Sequence, residues 1–168
     1  MNKECVLVVL KPDVVAKGLI GIILDRFSGA GMDLLAIKIL SVSQDLAQRH
    51  YQHLKEQRFY KEIIKYLQGK LHDGHKAVAL IYSGKNVIQR CRDIAGATNP
   101  EDADPRSIRG SMGRITTEGV FENLIHVSSD RKEACREIKL WFSPDEISGD
   151  LFPTRYEVLE NYKKKVWK

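Results

Sequence analysis

Residues 6–13 read V-L-V-V-L-K-P-D, a short apolar run that ends at a lysine and a proline. Such a run is typical of a buried strand, and it should stop at the proline, which has no backbone N–H to offer a strand ladder. The run is too short to be a signal peptide or to span a membrane. We therefore expect no membrane contact, and we predict a cytoplasmic location.

The composition indicates one globular domain. The chain has 168 residues, of which 43% are apolar and 29% charged, so it can bury a core. The net charge of +5 suits anionic ligands, but it does not distinguish a nucleotide from a nucleic acid or an acidic protein. The three cysteines, at positions 5, 91 and 135, are far apart, which argues against a disulfide framework and favours a reducing compartment.

Hydrophobic periodicity predicts four strands separated by helices. The strands are expected at 6–10, 34–42, 77–82 and 120–127, and the helices at 20–27, 46–54, 59–67, 87–95 and from Asp130 onward. This order predicts an α+β fold, a ferredoxin-like βαββαβ sandwich. Its four-stranded antiparallel sheet would carry helices on one face and a long loop before the last strand. A small doubly wound parallel sheet is the alternative, since periodicity does not separate the two.

The long loop, residues 96–119, shows no periodicity. A loop of this length inside a small domain is usually functional or mobile. Cationic side chains surround it: Arg92, Arg106, Arg109 and Arg114. Guanidinium groups bind phosphate oxygens in pairs, and Thr98 can add a hydroxyl. The loop therefore suggests a phosphate site, with a solvated basic loop as the other interpretation.

His126 and Glu137 form the second candidate site. Glu137 shares the apolar face of the last helix, where a carboxylate is costly unless it has a partner. His126 lies at the end of the preceding strand, and a helix that folds back could bring the two together. A carboxylate on one imidazole nitrogen fixes the tautomer and leaves the other nitrogen free to attack or bind. The alternatives are a boundary glutamate that reaches water and a strand-end histidine with no special role.

Other motifs give weaker signals. The sequence contains neither a Walker-type phosphate loop nor a G-x-G-x-x-G turn. The pairs His50 with His53 and His72 with His75 have the spacing of metal ligands, but no further ligand completes a set, so no protein-built metal site is predicted. The basic run 163–165 could contact nucleic acid, although a solvated tail is more common.

Seven short segments, taken in order along the chain, resemble the nucleoside diphosphate kinase family. They are K-P-D at 11–13, H-Y at 50–51, R-F-Y at 58–60, G-A-T-N-P at 96–100, S-I-R-G at 107–110, N-L-I-H at 123–126 and E-I at 137–138. The resemblance extends to about Glu146. It implies a nucleoside diphosphate kinase domain over residues 1–147, followed by a C-terminal tail at 148–168.

The resemblance implies a ping-pong transfer of the γ-phosphate of ATP to a nucleoside diphosphate. His126 would become phosphorylated, with Glu137 and Ser128 supporting it. The nucleotide would be bound by Lys11, Tyr51, Phe59, Arg92, Thr98, Arg109 and Asn123. Phe59 would stack on the base, Lys11 and Asn123 would hold the ribose, and the others would bind phosphates. A magnesium ion (Mg²⁺) would be held mostly by the nucleotide and water.

The chain departs from the family pattern in several places. Val127-Ser128-Ser129-Asp130 follows the histidine, so the acidic residue lies one position later than usual. The segments 68–76 and 112–122 are longer than in common members, and the second could remodel the base pocket. The resemblance also implies a homo-oligomer, a hexamer rather than a tetramer. A nucleotide-binding relative without transfer activity and a nucleic-acid-binding module remain the competing hypotheses.

Overall fold

The first strand, Glu4–Leu10, lies in the interior of a four-stranded antiparallel sheet. The computed structural model describes residues 4–72, 74–117, 119–159 and 162–168. Residues 1–3 of the predicted domain lie outside these ranges. So do residue 73 in the segment 68–76, residue 118 in the segment 112–122, and residues 160–161.

Helices and strands alternate along the chain. In order they are β1 (Glu4–Leu10), α1 (Pro12–Ala16), α2 (Ile20–Ser28), β2 (Asp33–Ser41), α3 (Gln44–His50), α4 (Tyr60–Leu67), β3 (Lys76–Gly84), α5 (Val87–Ala95), α6 (Ile108–Met112), β4 (Arg114–Ile115), β5 (Phe121–Glu122), β6 (Ile125–Val127), α7 (Arg131–Trp141), β7 (Thr154–Leu159) and β8 (Tyr162–Trp167). Within the described ranges, none of the helices has both the length and the apolar character needed to cross a membrane.

The sheet has the strand order β2-β3-β1-β6, and every neighbouring pair is antiparallel. Helix α2 connects β1 to β2, and α5 lies between β3 and β6, which gives the βαββαβ order. The predicted ferredoxin-like sandwich is therefore confirmed, and the parallel alternative is excluded because no pair in this sheet is parallel in the described ranges.

Both faces of β1 are buried, since residues 6–10 are all 0% exposed. Val6, Val8 and Leu10 pack with α2 and α5 on one face, as expected for the two crossover helices. Leu7 and Val9 point to the opposite face, where side chains of α3, α4 and α7 form a second apolar cluster. The structure thus adds a second helical layer, which carries Glu137 to the sheet.

The predicted fourth strand at 120–127 is wrong as a continuous element. The backbone turns at Leu124, which has φ +64°, a left-handed conformation that costs a bulky residue about 1–2 kcal/mol. The side chain of Leu124 is fully buried, and its carbonyl accepts a hydrogen bond from the backbone N–H of Lys11 at 2.8 Å. As a result β6 joins the sheet beside β1, while β5 pairs with β4 in a separate hairpin.

The C-terminal residues form the hairpin β7–β8, which contacts the end of α7. The indole Nε1 of Trp167 donates a hydrogen bond to the carbonyl of Phe142 at 3.2 Å. The ring of Phe152 lies edge-on to Trp167, with centroids 5.4 Å apart, and the ammonium group of Lys139 lies over both rings. These aromatic contacts attach the hairpin to the second helical layer.

Candidate active site

His126 lies on β6 at the edge of the sheet, where it pairs with Val9 of β1. Helix α7 folds back over the sheet and places Glu137 beside it, because Glu137 shares the buried face of the helix with Ile138. Nε2 of His126 is 2.9 Å from Oε1 of Glu137. The hydroxyl of Ser128 donates to Oε2 of the same carboxylate at 2.5 Å. The predicted trio of His126, Glu137 and Ser128 is therefore assembled.

The charge state of Glu137 fixes the tautomer of His126. Burial would raise the pKa of Glu137, but His126, Ser128 and Arg136 together hold that pKa below its ordinary value. The carboxylate is therefore ionised and accepts hydrogen bonds from both His126 and Ser128. Nε2 of His126 carries the proton, and Nδ1 keeps its lone pair.

His50 lies against His126 inside the second helical layer. The two rings meet edge-to-face with centroids 4.3 Å apart, and His50 is fully buried. The possible ligand atoms of His50, His126 and Glu137 lie within 4.8 Å of one another, a separation at which three such groups could bind a metal ion. The hydrogen bond between His126 and Glu137 accounts for the close approach of those two groups. Nε2 of His50 has no hydrogen-bond partner among the described residues.

A cavity of about 270 Å³ opens beside His126. Lys11, Arg92 and Arg109 contribute cations to its wall, and no carboxylate belongs to the described residues that line it. Tyr51, Thr98 and Asn123 add polar groups to the same wall. The cavity is thus a cationic site next to a nucleophilic nitrogen, which is suited to phosphate groups.

Arg109 holds the wall of this cavity together. Its guanidinium donates to the carbonyls of Asn123 at 3.2 Å, Gly96 at 2.7 Å and Ile125 at 2.8 Å. Three of its five N–H groups are used, which leaves two for a ligand. Burial lowers the pKa of Arg109 to about 10, so it stays charged at neutral pH. Gly96 has φ +84°, and a Cβ there would overlap the hydroxyl of Ser107, so this position requires glycine.

Lys11 and Asn123 form a buried pair in the wall of the same cavity. The ammonium group of Lys11 donates to Oδ1 of Asn123 at 2.5 Å and lies over the ring of Tyr66. The amide nitrogen of Asn123 donates to the carbonyl of Thr98 at 3.0 Å. Burial lowers the pKa of Lys11 to about 7, and nearby Arg109 adds to this effect.

A second cavity of about 260 Å³ continues from the first, because Lys11, Ile63, Thr98 and Asn123 line both. Its wall is largely apolar and includes the rings of Phe59, Tyr66 and Phe121. The whole cleft therefore has a cationic end at His126 and an apolar end at Phe59. That division matches the division of a nucleotide into phosphates and base.

Comparison with known proteins agrees with this geometry. Residues 4–147 match the family model described as nucleoside diphosphate kinase. The nucleoside diphosphate kinase of Desulfitobacterium hafniense (strain DSM 10664 / DCB-2) is 40% identical over 144 residues, covering 86% of this chain and 91% of that protein. The chain belongs to the nucleoside diphosphate kinase family. It is therefore a phosphotransferase. Mouse nucleoside diphosphate kinase A is similar as well, at 39% identity over 87% of this chain and 90% of its own length.

Solved structures of the nucleoside diphosphate kinase family have the same fold. The structure of the Borrelia burgdorferi enzyme, a transition-state mimic in which vanadate and ADP are bound, has a TM-score of 0.78 at 29% identity. The match covers 88% of this chain and 92% of that one. The Halobacterium salinarum enzyme in complex with CDP also has a TM-score of 0.78, at 30% identity, covering 87% of this chain and 91% of its own.

Two of the arginines suggested by the sequence do not line the nucleoside diphosphate kinase cleft. Arg106 is exposed and pairs with Asp104 at 2.9 Å, while Arg114 pairs with Glu122 at 2.5 Å. The displaced acidic residue, Asp130, caps α7 by accepting from the backbone N–H of Glu133 at 2.9 Å. Neither Arg106, Arg114 nor Asp130 lines the two cavities.

The sequence does not predict most residues of the apolar cavity, which include Tyr66, Val120 and Phe121. Tyr66 lies within the helix predicted at 59–67, and its hydroxyl donates to Asp13 at 2.7 Å. Val120 and Phe121 lie in the predicted fourth strand, which is interrupted at Leu124, and no sequence signal marks that break.

Proposed function

We propose that the chain transfers the γ-phosphate of ATP, or of another nucleoside triphosphate, to a nucleoside diphosphate through phosphorylated His126. The order would be ping-pong, with the first diphosphate leaving before the acceptor binds. The main support is the position of His126: Glu137 braces one nitrogen at 2.9 Å, and the ring lines a cavity whose wall contains Lys11, Arg92 and Arg109.

The transfer has two displacements. Nδ1 of His126 donates its lone pair to the γ-phosphorus, and the bond from that phosphorus to the bridging oxygen breaks, so the diphosphate leaves with the electron pair. The imidazole ring gains positive charge, which the ionised Glu137 stabilises while Nε2 keeps its proton. A terminal oxygen of the second diphosphate then attacks the phosphorus, and the N–P bond breaks to restore neutral His126.

The remaining site residues would position the nucleotide. Phosphates would contact Arg92, Thr98, Arg109 and Tyr51. In a loose phosphoryl transition state, such positioning and charge neutralisation supply most of the catalysis. Lys11 and Asn123 would hold ribose hydroxyls from the buried pair that joins the two cavities. Phe59, whose ring is about half exposed, would stack on the base.

Magnesium would enter this cleft bound to the phosphates of the nucleotide. The described lining of the phosphate cavity offers cations and neutral groups but no carboxylate, so protein oxygen ligands for Mg²⁺ are scarce there. Arg92, Arg109 and Thr98 would hold the phosphates, whose oxygens together with water would hold the ion. When bound, Mg²⁺ neutralises charge on the β- and γ-phosphates.

We also propose a homo-oligomer, with a hexamer favoured over a tetramer on the family resemblance. Strand β2 is at the sheet edge and exposes Leu34, Ile37 and Ile39, at 47%, 50% and 60%. An apolar edge strand of this kind suits pairing with a second copy.

We further propose that the protein is cytoplasmic and that it is divided into a kinase domain at 1–147 and a tail at 148–168. Nucleic-acid binding through the basic tail is a secondary possibility.

Labelling with γ-³²P-ATP tests the phosphohistidine. The wild-type protein should acquire an acid-labile, base-stable phosphate and pass it to GDP, and His126→Ala should do neither. Glu157→Gln, in the C-terminal hairpin, serves as a matched control for a single substitution. If His126→Ala still labels and transfers fully, the assignment of His126 fails. Nucleotide binding without labelling of the wild type would favour the non-catalytic relative.

A further inference from the structure

The hairpin β4–β5 forms one wall of the apolar cavity, and its most prominent side chain is Phe121. We propose that Phe121 stacks on the face of the nucleobase opposite Phe59, so that the base is held between two aromatic rings. This inference rests on the proposed function, because it specifies how the same cleft recognises the base.

Both rings are available to a ligand. Phe59 and Phe121 are 48% and 39% exposed, although large apolar side chains are normally buried. They line the same cavity, which also contains Ile63, Tyr66 and Val120. A flat aromatic ligand that entered this cavity would cover both rings and remove their apolar surface from water.

The strand geometry explains why Phe121 faces the cavity. Successive side chains of a strand point to opposite faces. In β5, Glu122 is 4% exposed, whereas Phe121 remains accessible on the other face. The next residue, Asn123, is bonded to Lys11 in the wall that joins the two cavities. Phe121 is therefore next to the proposed ribose site, two positions before it along the chain.

Glu122 holds the hairpin in place. Its carboxylate accepts from Lys17 at 2.5 Å, from Arg114 at 2.5 Å and from His72 at 2.9 Å. Burial would raise the pKa of Glu122, but these three partners lower it to about 2, so the carboxylate is ionised at neutral pH. A side chain next to such an anchor is pre-organised, and less ordering is required when a base binds.

The anchor joins the two segments that the resemblance implies are longer than in common members of the family. His72 belongs to the longer segment 68–76, and both Arg114 and Glu122 belong to the longer segment 112–122. The first segment therefore supports the second, and the second presents Phe121. This arrangement gives the two segments a shared role in base recognition.

A two-sided aromatic pocket should favour purines, because a purine overlaps each ring more than a pyrimidine does. Phe121→Ala should raise KM for GDP and ADP about 10-fold, within the range that stacking on one base allows. The rise for CDP and UDP should be smaller, and kcat at saturating nucleotide should change little. Phe121→Tyr should restore the wild-type KM values, since it keeps the ring. Tyr156→Ala, at an exposed aromatic residue of the C-terminal hairpin, is the matched control.

Phe121→Trp supplies a readout that a purely structural role would not produce. Stacking on a base should quench the fluorescence that the new indole adds to that of the wild type. ADP should therefore quench it, whereas pyrophosphate, which has no base, should not. Unchanged KM values for all four diphosphates in Phe121→Ala, or no quenching by ADP, would overturn the proposal for Phe121. If the wild-type protein acquires no phosphohistidine label, the proposed function is overturned instead. The fluorescence test would then still show whether the base stacks on residue 121.

Discussion

The indole Nε1 of Trp141 donates a hydrogen bond to Nδ1 of His50 across 3.1 Å. Because Nδ1 acts as the acceptor, the proton of the neutral His50 ring must be on Nε2. Burial, with the nearby His126 adding to it, lowers the pKa of His50 well below its ordinary value. A neutral His50 therefore lies beside His126, so His50 adds no like charge next to the positive charge that would develop on His126 during phosphoryl transfer.

His50 should make stability depend on pH. In the unfolded chain it titrates near 6.5, whereas in the folded protein it resists protonation. Below about pH 6.5 the unfolded chain binds the extra proton, so the free energy of unfolding falls as pH falls, by up to about 1.4 kcal/mol per pH unit. His50→Asn keeps an acceptor for Trp141 and should remove this slope. Urea unfolding of both proteins at pH 5, 6 and 7 measures it, and parallel curves would contradict the prediction.

The carboxylate of Glu137 should matter for turnover more than for binding. Glu137→Gln can still accept from Nε2 of His126 but lacks the charge that stabilises the ring when it is phosphorylated. We expect kcat to fall about 100-fold with little change in KM. Ser128→Ala keeps the charge and removes one hydrogen bond, so its loss should be smaller. Steady-state transfer from ATP to GDP measures both, and equal activities of wild type and Glu137→Gln would contradict the proposed role.

Local signals in the sequence predicted much of this fold. The apolar run at 6–10 predicts the inner strand, and the helix expected from Asp130 onward is α7, which Asp130 caps by accepting from the backbone N–H of Glu133 at 2.9 Å. The partnership of His126 and Glu137 was also predicted, because a carboxylate on an apolar helix face requires a partner.

The wall of the base pocket was beyond sequence reasoning. Leu124 reads as an ordinary strand residue, and its left-handed backbone arises from tertiary burial, which no local propensity encodes. The contact between His72 and Glu122 joins residues 50 positions apart, and neither residue type at that separation predicts the pairing. The sequence therefore predicts the residues at the phosphate end of the cleft, but it does not predict which residues form the second wall at the base end.

Lys11 gives a second pH dependence, of the same sign but in a higher range. Burial lowers its pKa to about 7, whereas an unfolded lysine titrates near 10.4. Between these values the unfolded chain binds the extra proton, so the buried amine should add stability as pH rises from 7 to 9, by about 1.4 kcal/mol per unit. Lys11→Met should lack this gain in urea unfolding without nucleotide. Lys61→Met, at an exposed lysine of α4, is the control, and a slope that Lys11→Met shares with the wild type would refute the assignment.

Arg109 should be needed both for stability and for phosphate binding. Lysine has one nitrogen at the end of its side chain, so Arg109→Lys cannot reach the carbonyls of Gly96, Asn123 and Ile125 together. Leaving a buried carbonyl unpaired costs about 1–3 kcal/mol, and we expect a loss of stability in that range.

The same substitution should reduce kcat/KM about 10- to 100-fold, because Arg109 would no longer join the loop at 96–98 to the segment at 123–126, and both line the phosphate cavity. Arg106→Lys is the matched control, since Arg106 is exposed and pairs with Asp104 outside the cleft. It should leave both the urea midpoint and kcat/KM unchanged. If Arg109→Lys lowers kcat/KM while its urea midpoint matches that of the wild type, then Arg109 acts on the phosphates and other contacts hold the loop.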